Sequence, residues 1–440
     1  MSRSTRTLLL GAAALLAVAL VIALTGGDDA PEASTGSATT GTTTVGPTDG
    51  VPSSTTSTTT TTSTTTTTTL DPRAPHLESI ERALGFLDDT ALAYRLVVTG
   101  LTGTDLTSRL FDTVGDPCVG GVFLTETNGN WSPIDDLEAF RVAVSTLDAN
   151  AWHRREECPD PLVATDAELG AIVRVPVESP PAAPSWTSRY ISGEPYNVLL
   201  DLQERSAEYA ASLRSLGITL NFGAVADVDT DPGHFMAGSG RTFGDDPGIV
   251  AALSNAVVQG HCEAGLAVSL KHFPNQGATP EDPHRERSTA IGGVSLWETT
   301  GRLPYETTVA PMVMTGHIFL TDVDPERPAS MSHAITTGLL RDELGYDGVV
   351  ITDDLSTMRG AADVVADPGE RAVAAVRAGA DLVLFVDDRD IATVVGHLEA
   401  EMASDPAFRS RAEDAYVRVE RMKLASALPD LFSLCGAVGD

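Results

Sequence analysis

From Leu77 onward, short unbroken apolar runs alternate with longer stretches whose apolar residues recur at helical spacing. The runs are YRLVVTGL from Tyr94, GGVFLTE from Gly120, PLVATD from Pro161, ITLNFGAVADV from Ile218, LAVSLKHF from Leu266, APMVMTGHI from Ala310, GVVITDD from Gly348 and DLVLFVDD from Asp381. A strand that is apolar throughout, rather than at alternate positions, is buried on both faces, as in parallel sheets covered by helices. The segments between them include LLDLQERSAEYAASLRSLG, PGIVAALSNAVVQGHCEAG, SHAITTGLLRDELGY and ERAVAAVRAGA. The last three reach a glycine near the start of the next strand, where a helix stop belongs. Eight such strands predict an α/β fold, a single (β/α)8 TIM-like barrel over about 350 residues. An open doubly wound sheet is the competing arrangement, but no glycine-rich phosphate turn follows the first strand.

A barrel of this kind gathers its site at the C-terminal ends of its strands. Polar residues fall there repeatedly: Asp166, Asp227 and Asp229, Lys271 and His272, His317, and Asp353 and Asp354. Of the last pair, one acid can cap the following helix while its neighbour projects into the site. Asp353, directly after GVVIT, is the acid expected to be functional. Lys271 is one of only two lysines in the chain. As a compact point donor it suits a strand-end position where the planar fork of arginine does not fit. The competing reading of Lys271 is a cap on backbone carbonyls at the barrel rim. His76, His153, His261, His333 and His397 read as surface or packing residues. No residues are grouped at metal-ligand spacing, so neither metal nor cofactor is expected.

Ahead of the barrel the chain changes character. Arg3 and Arg6 precede an apolar run from Leu8 to Leu24, which reads as a signal anchor over residues 1–25, retained rather than cleaved, with the following chain exported. Residues 26–75 are rich in Thr, Ser, Gly and Pro and are expected to form a disordered linker. The barrel is placed at residues 76–427 and a C-terminal tail at 428–440. The expected location is therefore membrane-anchored or secreted, with the folded part outside the cytoplasm. Cys118, Cys158, Cys262 and Cys435 permit two disulfides in three connectivities, Cys118–Cys158 being the nearer pair in sequence. With 61 acidic against 29 basic residues, the formal net charge is -32. That charge repels phosphate backbones and anionic lipids, so nucleic acid is not expected as a partner.

Several segments in order resemble the family-3 glycoside hydrolases, and among them the bacterial β-N-acetylglucosaminidases that act on cell-wall fragments. They are PLVATDAELGAIVR, LGITLNFGAVADVDTDP, GRTFGDDP, KHFPNQGATPEDPH and RPASMSHAITTGLLRDELGYDGVVITDDLSTM. The resemblance implies that Asp353 attacks the anomeric carbon to form a covalent glycosyl-enzyme with net retention. It implies a dyad in which His284 is general acid and then base, oriented by Asp282. It implies sugar-binding roles for Asp166, Arg174, Arg241, Lys271 and His272, and a place for His317 in lining or supporting the pocket. It further implies a carbohydrate substrate ending in N-acetylglucosamine, and it is compatible with a monomer. The chain departs from the family pattern at Asn275, Gln276 and Gly277, where Gly-His-Gly is usual. It also carries Pro283 where Ser separates the dyad residues, and Leu169, Gly170 and Ala171 after Glu168 in place of Gly-Gly-Arg. A β-glucosidase-like specificity and a catalytically silent glycan-binding barrel are the two alternative readings.

Overall fold

The computed structural model describes residues 72–101, 119–125, 161–175, 177–428 and 433–435. The expected anchor, the Thr-rich stretch up to residue 71 and the Cys118–Cys158 pair lie outside the described residues. The first described helix, Ala74–Leu84, runs across the boundary expected at residue 76. Eight strands follow: β1 Val97–Gly100, β2 Gly121–Phe123, β3 Leu162–Thr165, β4 Leu220–Val225, β5 Ala267–Phe273, β6 Met312–Thr315, β7 Val349–Thr352 and β8 Val383–Phe385. All pair in parallel in the order β8-β1-β2-β3-β4-β5-β6-β7. A parallel bridge between Ile351 and Leu382 joins the two outer strands, so the sheet nearly closes into the expected barrel.

Every residue of these strands is buried, which is why the sequence shows them as unbroken apolar runs. Alternate positions fill the interior, where Val98, Ala164, Phe222, Met314, Ile351 and Leu384 share one cluster with Val419 and Met422 of the last helix. The rings of Phe123 and Phe222 stack inside it with centroids 5.7 Å apart.

The helices start and stop where local chemistry dictates. Three of them begin at Asp-Pro: Pro247–Glu263, Pro368–Ala378 and Pro406–Ala427 follow Asp246, Asp367 and Asp405. In each case the aspartate accepts from backbone N–H groups of the first turn, and the proline supplies the helical φ without wasting a donor. Gly265 (φ 71°) and Gly379 (φ 119°) reverse the chain into β5 and β8 in a conformation other residues avoid. One expected helix, over SHAITTGLLRDELGY, winds as a π-helix at Ala334–Glu343.

The strand expected from Tyr94 begins later. Asp88 caps a helix, Asp89–Arg95, by accepting from the Ala91 N–H at 2.8 Å, and this helix takes Tyr94 and Arg95 out of the strand. At the C-terminus the tail is held down, because Cys435 forms a disulfide with Cys262 and Leu434 packs in the interior cluster.

One buried charge organises the N-terminal side of the barrel. Asp381, 0 % exposed at the entrance to β8, accepts from Arg341 (2.7 Å), Arg411 (2.8 Å), Arg418 (3.0 Å) and the Val350 N–H (2.8 Å). Arg411 and Arg418 lie two turns apart on the last helix and so share a face. Burial alone raises a carboxyl pKa, but the three guanidiniums outweigh it and hold Asp381 below its ordinary value. Its contribution to stability is thus complete above the unfolded value of about 3.9 and lost as pH falls through the lower folded value. Asp381→Ala leaves three guanidiniums without their shared anion and is expected to cost about 3 kcal/mol. In calorimetry at neutral pH the melting temperature should fall by roughly 5 °C or more, and the deficit should shrink as the pH approaches 3.

Candidate active site

The strand ends bring most of the expected residues to one rim, in three linked groups. After β3 the chain folds back as a short hairpin, in which the Glu168 N–H donates to Ile172 (2.7 Å) and the Arg174 N–H to the carbonyl of Asp166 (2.9 Å). Asp166, Glu168 and Arg174 are therefore carried on one small unit. The Lys271 ammonium, 3 % exposed, lies 2.9 Å from Asp166 Oδ1 and 2.9 Å from Glu168 Oε1. Glu168 also accepts both arms of Arg241, Nε at 2.8 Å and Nη2 at 2.7 Å. The fork geometry explains why arginine stands at position 241 and lysine at 271.

Burial opposes each of these charges, and their pairing overcomes it. Burial raises the Glu168 carboxyl, yet Lys271 and Arg241 bring it down to about 2. Burial lowers the Lys271 ammonium, yet Asp166 and Glu168 raise it above its ordinary value. Arg241 is raised in the same way, chiefly by Glu168. Lys271 thus caps no backbone carbonyl. It joins two carboxylates and keeps a third N–H.

The second group lies beside it. The His272 ring donates through Nδ1 to Asp227 Oδ2 (2.7 Å), while Asp227 Oδ1 accepts from the backbone N–H of His272 (3.2 Å) and of Gln276 (2.7 Å). This pairing fixes the tautomer and leaves Nε2 as the outward nitrogen. Asp229, two residues on, holds the Thr242 hydroxyl, and burial raises its carboxyl to about 6.

The third group contains the two acids after β7, which divide their work. Asp354 is buried and accepts from five donors: the backbone N–H and hydroxyl of both Ser356 and Thr357, and the Val386 N–H. It caps the turn and ties it to the end of β8. Asp353 is half-buried, and among the described residues its one hydrogen-bond donor is the Asp354 N–H at 2.8 Å. Burial raises its carboxyl, but His272, His317, His284 and that N–H outweigh the effect and hold it below its ordinary value. It is an ionised, lightly bonded carboxylate among histidines, the environment an attacking oxygen needs. His284 accompanies Asp282, with Nδ1 and its backbone N–H on Asp282 Oδ1 at 2.7 and 3.0 Å. Its side chain is 59 % exposed and its ring stands 6.5 Å from that of Phe235.

His317, expected to line or support the pocket, takes the supporting place. It is fully buried, and both ring nitrogens are engaged, Nδ1 with the Ser330 hydroxyl (2.8 Å) and Nε2 with the Asp354 carbonyl (2.8 Å). It backs the acid-bearing turn, and no polar atom of the ring is left for a ligand. Burial lowers its pKa, against the nearby Asp353 and Asp354 charges that raise it. Conversely, Glu168 and Asp227 carry more of the site than their place in the sequence indicated. The signal for Glu168 was available, since an acid two residues from Asp166 returns to the same side of an extended chain. Nothing in the sequence separated Asp227 from Asp229. Among the described residues no group of three or more His, Cys, Asp or Glu side chains is arranged to hold a metal.

With this geometry in hand, the likeness to known proteins is direct. The family model of the glycosyl hydrolase family 3 N terminal domain matches residues 96–422. A beta-hexosaminidase of Bordetella avium is 31 % identical over 343 residues, spanning 77 % of this chain and 91 % of the relative. A beta-N-acetylhexosaminidase of known structure from Beutenbergia cavernae superposes with a TM-score of 0.68 at 26 % identity, over 78 % of this chain and 99 % of that one. A family 3 beta-N-acetylglucosaminidase from Paenibacillus does so with a TM-score of 0.68 at 27 % identity, over 80 % and 65 % of the two chains. The chain belongs to glycosyl hydrolase family 3. It is a glycosidase, and these relatives are a beta-hexosaminidase, a beta-N-acetylhexosaminidase and a beta-N-acetylglucosaminidase.

The division between the two acids after β7 can be tested without substrate. Asp354→Ala strands five donors and is expected to cost about 2–3 kcal/mol. Asp353→Asn removes a charge from a site that stabilises little else and should leave the melting temperature nearly unchanged. Calorimetry on the two variants side by side checks this, and equal losses would contradict the division.

Proposed function

We propose that the protein is a retaining β-N-acetylhexosaminidase that removes terminal, non-reducing N-acetylglucosamine from cell-wall-derived glycans. The observation that carries this reading is the depressed, lightly bonded Asp353 carboxylate in company with the Asp282–His284 pair. Asp353 attacks the anomeric carbon as the glycosidic bond breaks, giving a glycosyl-enzyme ester. His284 donates its proton to the leaving oxygen. Neutral, it then takes a proton from the water that attacks the ester, releasing the sugar with retained configuration. An imidazole suits this exchange because its ordinary pKa is close to neutrality. Asp282, on Nδ1, holds the ring in the tautomer that presents Nε2 and steadies the imidazolium. Lys271, Asp166 and Arg241, with Arg174 and His272 alongside, grip the ring hydroxyls.

The amino-sugar reading is favoured over a glucoside one by the hexosaminidase relatives and by the Asp-x-His pair. The wall-fragment substrate and the extracytoplasmic location rest on further features. Arg3 and Arg6 precede the Leu8–Leu24 run, as in an anchor with an exported C-terminal side. The Cys262–Cys435 disulfide belongs to an oxidising compartment.

The test is turnover of chromogenic β-N-acetylglucosaminide and β-glucoside by the protein, beside Asp353→Asn and His284→Ala. The glucosaminide is expected to be preferred. Asp353→Asn should reduce kcat by roughly 10⁴-fold or more, and His284→Ala by about 10²–10⁴-fold, less on substrates with good leaving groups. Because the Asp353 pKa is lowered, the acid limb of the kcat/KM profile is expected below the ordinary carboxylate range of about 4. Preference for the glucoside would move the substrate and keep the mechanism. Binding without turnover would leave only a glycan-binding barrel.

A further inference from the structure

Two buried side-chain amides make the same unusual contact next to the site. Asn221, on β4 and 0 % exposed, accepts from the Ala167 N–H at 3.0 Å and donates to the Ala167 carbonyl at 3.0 Å. Asn275, after β5 and 2 % exposed, accepts from the Val228 N–H at 2.9 Å and donates to the Val228 carbonyl at 3.0 Å. Each amide thus takes both polar backbone groups of a single residue, as a neighbouring strand would. Only one orientation of the amide satisfies both groups, so its direction is set.

The clamped residues are not arbitrary. Ala167 lies between Asp166 and Glu168, the two carboxylates on Lys271. Val228 lies between Asp227, which holds His272, and Asp229. In both places the chain has left its strand: Ala167 faces Val173 across the short hairpin, and its own N–H and carbonyl go to the Asn221 amide, as those of Val228 go to Asn275. The space is shaped to match. A side chain at Gly223 would meet Asn221 Nδ2 at 2.2 Å and the Ala167 carbonyl oxygen at 2.7 Å, and one at Gly277 would meet the Val228 carbonyl oxygen at 2.2 Å. The Asn221 amide is itself braced by His261, whose Nε2 lies 2.9 Å from Nδ2 and whose Nδ1 donates to the Val257 carbonyl at 2.9 Å.

We infer that Asn221 and Asn275 are positioning residues that set the active-site carboxylates by clamping the one backbone unit between each pair. Asn221 acts through Asp166 and Glu168 on Lys271 and Arg241. Asn275 acts through Asp227 on His272. The second clamp is a property of this chain, since Asn275 stands where the family pattern has glycine. The inference rests on the glycosidase reading of these side chains as sugar-binding groups.

Asn→Asp is the sharpest change, because it keeps the shape and the acceptor while turning the donor into an oxygen that faces the clamped carbonyl. Asn221→Asp is measured in the wild type and in an Asp166→Asn background, and Asn275→Asp in the wild type and in a His272→Ala background, with Asn221→Ser and Asn275→Ser as milder variants should either aspartate fail to fold. Each single change is expected to lower kcat/KM on the preferred chromogenic glycoside about 10- to 100-fold, the size of one or two buried hydrogen bonds. In the background lacking the positioned group, the further loss should shrink to about twofold, because the residues act as one unit. Equal losses in both backgrounds, or unchanged kinetics in folded single variants, would overturn the inference while leaving the glycosidase reading intact. A wild-type protein that turns over no glycoside would overturn both.

Discussion

A lysine ammonium buried to 3 % exposure has almost no water to solvate it, so the protein must supply its counter-charges. That constraint shapes the site of this family-3 glycosidase. Lys271 on β5 needs two carboxylates, so the chain after β3 folds back to deliver Asp166 and Glu168 together. Glu168, equally buried, would carry half an unmatched charge if it met Lys271 alone, and Arg241 arrives from the segment after β4 to complete it. Two cations and two anions then close a neutral chain that joins three neighbouring strand ends. Such a chain is rigid because no member can leave without stranding another. The rigidity suits sugar hydroxyls, which are distinguished by small differences in direction rather than by charge.

The acid after β7 is solved differently. Among the described residues Asp353 has no cationic partner in salt-bridge contact, only histidines around it and one backbone N–H. A guanidinium in its place would also have kept it ionised, but by occupying the lone pairs that an attacking oxygen needs free. Histidines lower its pKa from a distance and leave the carboxylate only half-buried. The rigidity that a salt bridge would have provided comes instead from Asp354. Its five donors and the His317–Ser330 pair fix the turn from behind. Two adjacent identical residues therefore have opposite environments, one saturated with hydrogen bonds and one nearly bare.

Much of this was legible in the chain. All eight strands appear as apolar runs because burial on both faces removes the alternation that would otherwise blur them. The gathering of Asp166, Lys271, His272 and Asp353 at one rim followed from their position at strand ends. What stayed hidden was chiefly long-range partnership. Glu168 and Asp227 could be seen as acids near a rim, but their ties to Arg241 and His272 span 73 and 45 residues of sequence. The Cys262–Cys435 bridge spans 173 residues and no spacing rule selects it. The contacts of His317 were hidden for a related reason. Its strand-end position was read correctly, but the direction of the ring depends on Ser330 and the Asp354 carbonyl, which sequence order does not reveal. Tyr94 was misread more locally, because a cap at Asp88 extended a helix into an apolar run.

The loop bearing Asp282 and His284 shows how the chain's departures from the family pattern fit together. Pro283 has no N–H to offer, so that residue can be fixed only through its carbonyl, and the carbonyl accepts from the Gly360 N–H at 3.0 Å. Gly360 opens the helix after the Asp353 turn, where a side chain would meet His317 Cβ at 2.9 Å and the Pro283 oxygen at 3.4 Å. The absence of a side chain there lets the Asp282–His284 loop, His317 and the Asp353 turn approach one another closely. Farther along the same connection, Ser288–Thr289 pairs with Ile318–Phe319, just beyond His317. The exposed His284 ring is thereby carried on a backbone tied at two points to the elements that hold Asp353. Proline at position 283 is compatible with the proton-donor role proposed for His284, because the loop's register is set by what surrounds that residue, and its carbonyl is the group the arrangement uses.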